Sequence, residues 1–465
     1  MNERSLGVGA GRPSGLPAIV RDFRHILELA VPLALTQLAQ VAISTTSIVI
    51  LGLLGPAQLA AGGLAIGLFN LLRTMGVGLA VGTANLVAEE LRGGGSTDRI
   101  ARYTASSLQI STVAGLLAIA AMTQVEPVLV FFGQSPDIAR SAQIYLLATC
   151  LGILPCLWFN ALRSFTVGLR RPGPVLAITV LSIAVNAALA FGLATGTFGL
   201  PQLGAAGIAL TAAIVHLVSF AVLFAHILRA PAYRSYGFVR AFFGFDRHAW
   251  RRTLSLGLPT AAAYGSEAGF TVAIALFMGT FGEAALAAHN IVNQVIYIAF
   301  MLAIGLSHGT SVAISEAQGA GRHDLRRRYG AIGVSLGLAT MALIGAVYLL
   351  APEAILALFS AGGGLHGVAT TNIAMHLLVI AAVLQLFDCS QNIGVGLMRG
   401  LGCARLTLGL TLLGYWVIGL PAAWSLGQAM GPTGVWWGLC VGLAATAILI
   451  LGSFERLTRK KATAD

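Results

Sequence analysis

Charge is what this sequence has least of. Only 10% of its 465 residues are Asp, Glu, Lys or Arg, and the acids number 17. A water-soluble domain carries about a quarter charged residues, so this chain could not cover a solvent-facing surface. Its five cysteines (150, 156, 389, 403 and 440) show no metal-ligand spacing and are read as reduced, structural thiols. No G-x-x-x-x-G-K-[ST] loop is present and no segment between apolar runs could house an ATPase, which excludes nucleotide-driven work by the chain itself. Residues 1–25 carry arginines but no small-residue cleavage site, and the apolar run after them is too long for a signal-peptide core. An uncleaved first span is expected.

Apolar sequence fills the space instead. The chain is 57% hydrophobic with a mean hydropathy of +0.84. Runs of roughly 20 apolar residues, each enough to cross ~30 Å of hydrocarbon, recur throughout. The expected fold class is all-α integral membrane, with twelve spans near 30–54, 59–83, 104–124, 138–162, 174–196, 203–228, 253–279, 285–311, 330–351, 372–398, 406–427 and 433–453. When the spans alternate, 26 of the 28 Lys and Arg share one side; Arg140 lies on the other and Arg73 within span 2. By the positive-inside rule both termini are cytoplasmic. The net charge of +11 is therefore a topology signal, and no nucleic-acid partner is expected.

The sequence also repeats at an offset of 227 residues. "LAVP" (29–32) falls on "LGLP" (256–259), "GLLGPAQLAA" (52–61) on "GTFGEAALAA" (279–288), Glu89 on Glu316, and "GAAG" (204–207) on "GPTG" (431–434). "LRS" (162–164) and "MRG" (398–400) correspond at 236, with insertions that cancel later. Six spans per half return the chain to its starting side, so the halves share an orientation about an axis along the membrane normal. Parallel repeats of this kind build transporters with a central site. The division expected is a cytoplasmic tail (1–25), an N-lobe (26–229), an interfacial linker (230–252), a C-lobe (253–454) and a second cytoplasmic tail (455–465).

Two acids, Glu267 and Asp388, sit deep within spans. Asp388 precedes Arg399 by eleven residues, about 16 Å along a helix, which is near the midplane. An ionised carboxylate there costs at least ~2.5–3.5 kcal/mol, and such residues normally mark an ion or substrate path. Polar residues at helical spacing accompany them: Thr260, Tyr264, Glu267 and Thr271; Asn290, Asn293 and Tyr297; Gln385, Asp388 and Asn392. These stripes would line a wet cavity, although amides also serve as glue between spans. The pair could take up a proton or hold Na⁺ with nearby oxygens, the one case in which Glu267 and Asp388 act as metal ligands. In the first half Gln37, Gln40, Ser44 and Ser47 form one face without an acid, joined by Asn70, Arg73 and Asn186. Arg73 could neutralise a carboxylate, meet an anionic group, or be held by carbonyls. No cofactor beyond a coupling ion is expected.

Several stretches together resemble the MATE (multidrug and toxic compound extrusion) family, nearest its bacterial NorM-like branch. They are "LAVPLALTQLAQ", "LGLLGPAQLAA", "ALRSFTVGLRRPGP", "NAALAFGLATGTFGLPQLGAAGIAL", "LGLPTAAAYGSE", "VAISEAQGAGR", "LQLFDCSQNIGVGLMRG" and "YWVIGLP". The resemblance runs from about residue 25 to 455. It implies two six-helix lobes in a V and an antiporter of the bacterial inner membrane. Such proteins expel amphipathic, cationic compounds in exchange for Na⁺ or H⁺. Glu267 and Asp388 match the family's second-lobe cation site. One position departs: where the family often places a span 1 aspartate, five residues before the glycine of a turn, this chain has Ser47 ahead of Gly52. The expected partners are a small amphipathic substrate and membrane lipid, and the expected state is a monomer. A lipid-linked saccharide flippase is the alternative within transport, with Arg73 on its side. An integral-membrane enzyme would need a catalytic constellation near an interface, and none is found.

Overall fold

The computed structural model describes residues 18–131, 134–197, 199–360 and 368–462. The two expected tails are described only from residue 18 and as far as residue 462. Twelve long helices carry the fold: α1 (Ala18–Leu53), α2 (Pro56–Arg92), α3 (Thr97–Met122), α4 (Pro136–Gly168), α5 (Gly173–Thr195), α6 (Gly204–Arg229), α7 (Arg247–Gly279), α8 (Glu283–Gly319), α9 (His323–Leu350), α10 (Val368–Gly400), α11 (Ala404–Met430) and α12 (Pro432–Ala462). All twelve are long and apolar enough to span a membrane. Several outrun the span expected from hydropathy. α1 begins twelve residues before position 30 and α4 ends six after 162, because polar first and last turns continue the backbone ladder past the hydrocarbon.

Sequence chemistry sets the boundaries. Ser96 and Ser135 cap α3 and α4 by accepting from the third amide N–H beyond them, and Asp246 caps α7 through His248 and Ala249 N–H. α11 is interrupted by a wider, π-helical stretch at Leu413–Gly419, where Leu420 N–H reaches back five residues to the Tyr415 carbonyl. The linker forms a 3₁₀ turn at Pro231–Tyr236 and a short helix at Phe238–Phe242. It packs Tyr233, Tyr236 and Phe238 around Phe165, while Gln109 donates to the Phe242 and Gly244 carbonyls.

Ion pairs gather the basic ends of many helices at one end of the molecule. Arg328 at the start of α9 meets Asp22 of α1 at 2.7 Å, and Arg327 meets Glu455 of α12 at 2.8 Å, so the first and last helices share that end. The lobes also meet there. α1 lies along α8 and α2 along α7, and small residues let the backbones touch. A Cβ on Gly78 would stand 2.7 Å from Ala261 Cα, and one on Gly305 would collide with the backbone of Ala34. Gly305 and Ala261 stand 227 residues after Gly78 and Ala34, so the repeat seen in sequence is a two-fold relationship in space. Towards the opposite end Ile48, Val49 and Leu53 of α1 and Asn290, Tyr297 and Ile298 of α8 are exposed. The molecule is a V, closed at its arginine-rich end.

Candidate functional site

Glu267 of α7 and Asp388 of α10 are both half-buried in the second lobe. Asp388 lies within the field of Glu267, and Tyr415 within that of both. No cation acts on either carboxyl among the described residues. Tyr415 is held by parallel stacking on Phe270 at 4.9 Å, while its neighbour Trp416 donates to Ser266 Oγ at 2.9 Å. The π-helical stretch of α11 supplies both side chains, a distortion common at functional positions. The Tyr415 hydroxyl is buried and finds no partner among the described residues. Two carboxylates and an orphan hydroxyl are a donor set suited to a hard cation or a proton.

The other polar residues expected in this lobe do not converge on that pair. Gln385 turns to α9 and donates to the Met341 carbonyl at 2.9 Å. Asn392 is buried, and its backbone carbonyl accepts from Ser307 of α8. Asn290 and Tyr297 are exposed and Asn293 half-buried on α8. Tyr264 faces the seam between lobes, accepting from Arg399 Nη1 at 3.3 Å and lying 3.5 Å from His308 Nε2. Helical spacing names the face that residues share, and these faces meet different neighbours.

In the first lobe Gln40, Ser47, Asn70 and Arg73 line one cavity of about 90 Å³ with Ser44, Asn160 and His216. Arg73 donates to Asn70 Oδ1 at 3.3 Å and Gln40 Oε1 at 3.5 Å. It is the one cation among the lining residues, which include no acid. Gln37 points elsewhere, accepting from Arg163 at 3.2 Å. Asn186 is fully buried and ties α5 to the Ile43 carbonyl of α1.

The seam between lobes holds residues that sequence reasoning placed in loops or left unassigned. Arg163 lies near the end of α4 and Arg399 in the last turn of α10, yet they are only 5% and 2% exposed. Asn85 of α2 donates to Ser311 Oγ and Ser315 Oγ of α8, both at 2.9 Å. Glu316 of α8, 4% exposed, binds His25 of α1 at 2.9 Å and Arg170 beyond α4 at 2.6 Å. Arg170 adopts φ 60°, a left-handed conformation costing about 1–2 kcal/mol in an L-residue, and this ion pair holds it. The equivalence of Glu89 with Glu316, and of "LRS" with "MRG", was the available signal.

Comparison with known proteins adds to this geometry. The sequence profile of the MatE family matches residues 32–191 and 259–425, one stretch in each lobe. A probable multidrug resistance protein NorM of Pseudomonas aeruginosa is 38% identical over 97% of this chain and 93% of its own length. A multidrug resistance protein NorM of Burkholderia vietnamiensis is 34% identical over 95% and 96%. Among solved structures, a multidrug resistance MATE family transporter in an outward-facing conformation superposes with a TM-score of 0.86 at 18% identity. It covers 94% of this chain and 96% of that one.

Proposed function

The chain belongs to the MatE family, and from that premise we propose that it is a multidrug efflux transporter that exchanges a small amphipathic molecule for Na⁺ or H⁺. The arginine-rich end faces the cytoplasm of a bacterial inner membrane, and the chain acts as a monomer. One observation carries the coupling: Asp388 lies within the field of Glu267, and Tyr415, whose buried hydroxyl has no partner among the described residues, within that of both.

A charged carboxylate disfavours charge on a second one within its field, and burial disfavours both. A cation taken up between them removes the penalty; its loss restores it. If the two openings of the V differ in how well they accommodate the charged pair, ion occupancy shifts their balance by that difference and no more. A substrate that prefers the opposite occupancy is then moved against its own gradient. Its apolar part lies in the cleft between lobes, with Asn290, Asn293 and Tyr297 on one wall. The first-lobe cavity lined by Gln40, Ser47, Asn70 and Arg73 offers hydrogen bonds to its polar part.

A lipid-linked saccharide flippase is the second reading, favoured by the lone cation Arg73 in a cavity without acids. The experiment is dye efflux from cells with the Na⁺ and H⁺ gradients collapsed one at a time. Loss of export on collapsing one of them supports exchange. Export that survives the collapse of both removes it.

A further inference from the structure

The two most deeply buried arginines of the seam share a cavity. Arg163 of the first lobe and Arg399 of the second both line a space of about 20 Å³, together with Asn85, Asn160, Ser164 and His308. They are the repeat-related arginines of "LRS" and "MRG". Their neutral contacts are few: Arg163 donates to Gln37, and Arg399 to Ser311 Oγ and Tyr264. Arg399 Nη2 is sealed from solvent and has no partner among the described residues. The groups acting electrostatically on Arg163 are Tyr264, Arg73 and Cys156, with no carboxylate among them. Glu316, the buried acid of the seam, is already engaged by His25 and Arg170.

Two guanidinium groups, each more than nine-tenths buried, line one small space from opposite lobes with no carboxylate lining it. Buried charges persist where they are paired and satisfied. A void of ~10–15 Å³ is enough for one water-sized occupant, so this one has room for a monatomic ion. The walls come from both lobes, so an ion seated there touches both at once.

We propose that the seam binds one chloride-sized monovalent anion between Arg163 and Arg399, and that this anion latches the lobes together at the arginine-rich end. The bound ion neutralises charge that α4 and α10 bury on the two sides of the seam. When the lobes part at this end the two arginines separate, the site is halved and the anion leaves. Small anions then set how readily the transporter opens on that side, independently of which cation drives it.

The test uses the full-length protein in detergent, exchanged into sodium gluconate, with radiolabelled chloride as the probe. Equilibrium dialysis should show one saturable site per chain. Arg163→Gln and Arg399→Gln should each weaken binding at least tenfold, Arg399→Lys should recover part of it, and Arg327→Gln, an exposed arginine at the same end, should not change it. A second readout needs no variant of the site. Spin labels at Thr97 and Arg322, one in each lobe, should report a larger closed fraction in chloride than in gluconate. Absence of saturable chloride binding by the unaltered site, binding unaffected by Arg399→Gln in folded protein, or identical label distances in the two salts would each overturn the proposal.

Discussion

Gly78 of α2 rests on the backbone of Ala261 of α7, so close that a Cβ on the glycine would lie 2.7 Å from Ala261 Cα. Its symmetry mate, Gly305 against Ala34, repeats the contact from the other lobe. Backbone cannot yield as a flexible side chain can, so a larger residue must push the lobes apart. Gly78→Leu is expected to cost about 1–3 kcal/mol in the closed arrangement. The open population at the arginine-rich end should then rise at least fivefold. Electron–electron distances between spin labels at Thr97 and Arg322 check this; an unshifted distribution would show that the helices re-pack without opening.

Glu316 tests the polar half of the same seam. Replacing it with Gln leaves His25 and Arg170 facing a neutral amide, and leaves Arg170 in its left-handed conformation with nothing charged to hold it. Breaking one partner of a buried pair typically costs about 3–5 kcal/mol. Thermal unfolding in detergent should show Glu316→Gln melting clearly below the parent protein. The exposed pair Arg24–Glu28 is the control: Glu28→Gln should change the melting temperature little, since exposed pairs contribute about 0–1 kcal/mol.

Asp246 gives a pH dependence outside the membrane. The Ala249 amide N–H and the Arg102 guanidinium hold its carboxyl below the usual aspartate range. A carboxyl whose folded value is depressed stabilises the fold above its unfolded value, about 3.9. That contribution fades as pH falls through the lower, folded value. Asp246→Ala should therefore destabilise the protein at pH 7 by about 0.5–2 kcal/mol, the usual effect of losing an N-cap. The gap should shrink steadily below pH 4. Paired melting curves across that range measure it.

Tyr415 separates ion binding from architecture. Tyr415→Phe keeps the stacking on Phe270 and removes only the hydroxyl beside Glu267 and Asp388. Half-maximal export should then require several-fold more of the coupling ion, with unchanged melting temperature. An unaltered ion dependence would take the hydroxyl out of the site.

The architecture could be read almost completely before any coordinates, for a physical reason. Lipid demands long apolar helices, alternate Arg clusters report sidedness, and the offset joining Pro32 to Pro259 or Glu89 to Glu316 carries the two-fold. The site was harder. Glu267 and Asp388 stood out because a carboxylate in hydrocarbon is costly wherever it faces. Gln385 looked identical in kind, yet its side chain ties α10 to α9, because periodicity names a face without naming what lies opposite. Arg163 and Arg399 sit near helix ends, where an arginine usually reaches water, and only the meeting of the two lobes buries them. Tyr415 was invisible as a site residue because the π-helical turn that aims it has no simple sequence signature.

The account depends most on the two carboxylates carrying the driving ion. Thermodynamic reciprocity supplies the most direct test, since a substrate gradient must then drive that ion. In proteoliposomes loaded with a fluorescent amphipathic dye and no initial ion gradient, outward dye movement by the parent protein should draw Na⁺ or H⁺ inward. Glu267→Gln and Asp388→Asn, folded and inserted, should show no dye-driven ion movement. Ion flux from both variants equal to that of the parent would contradict the account.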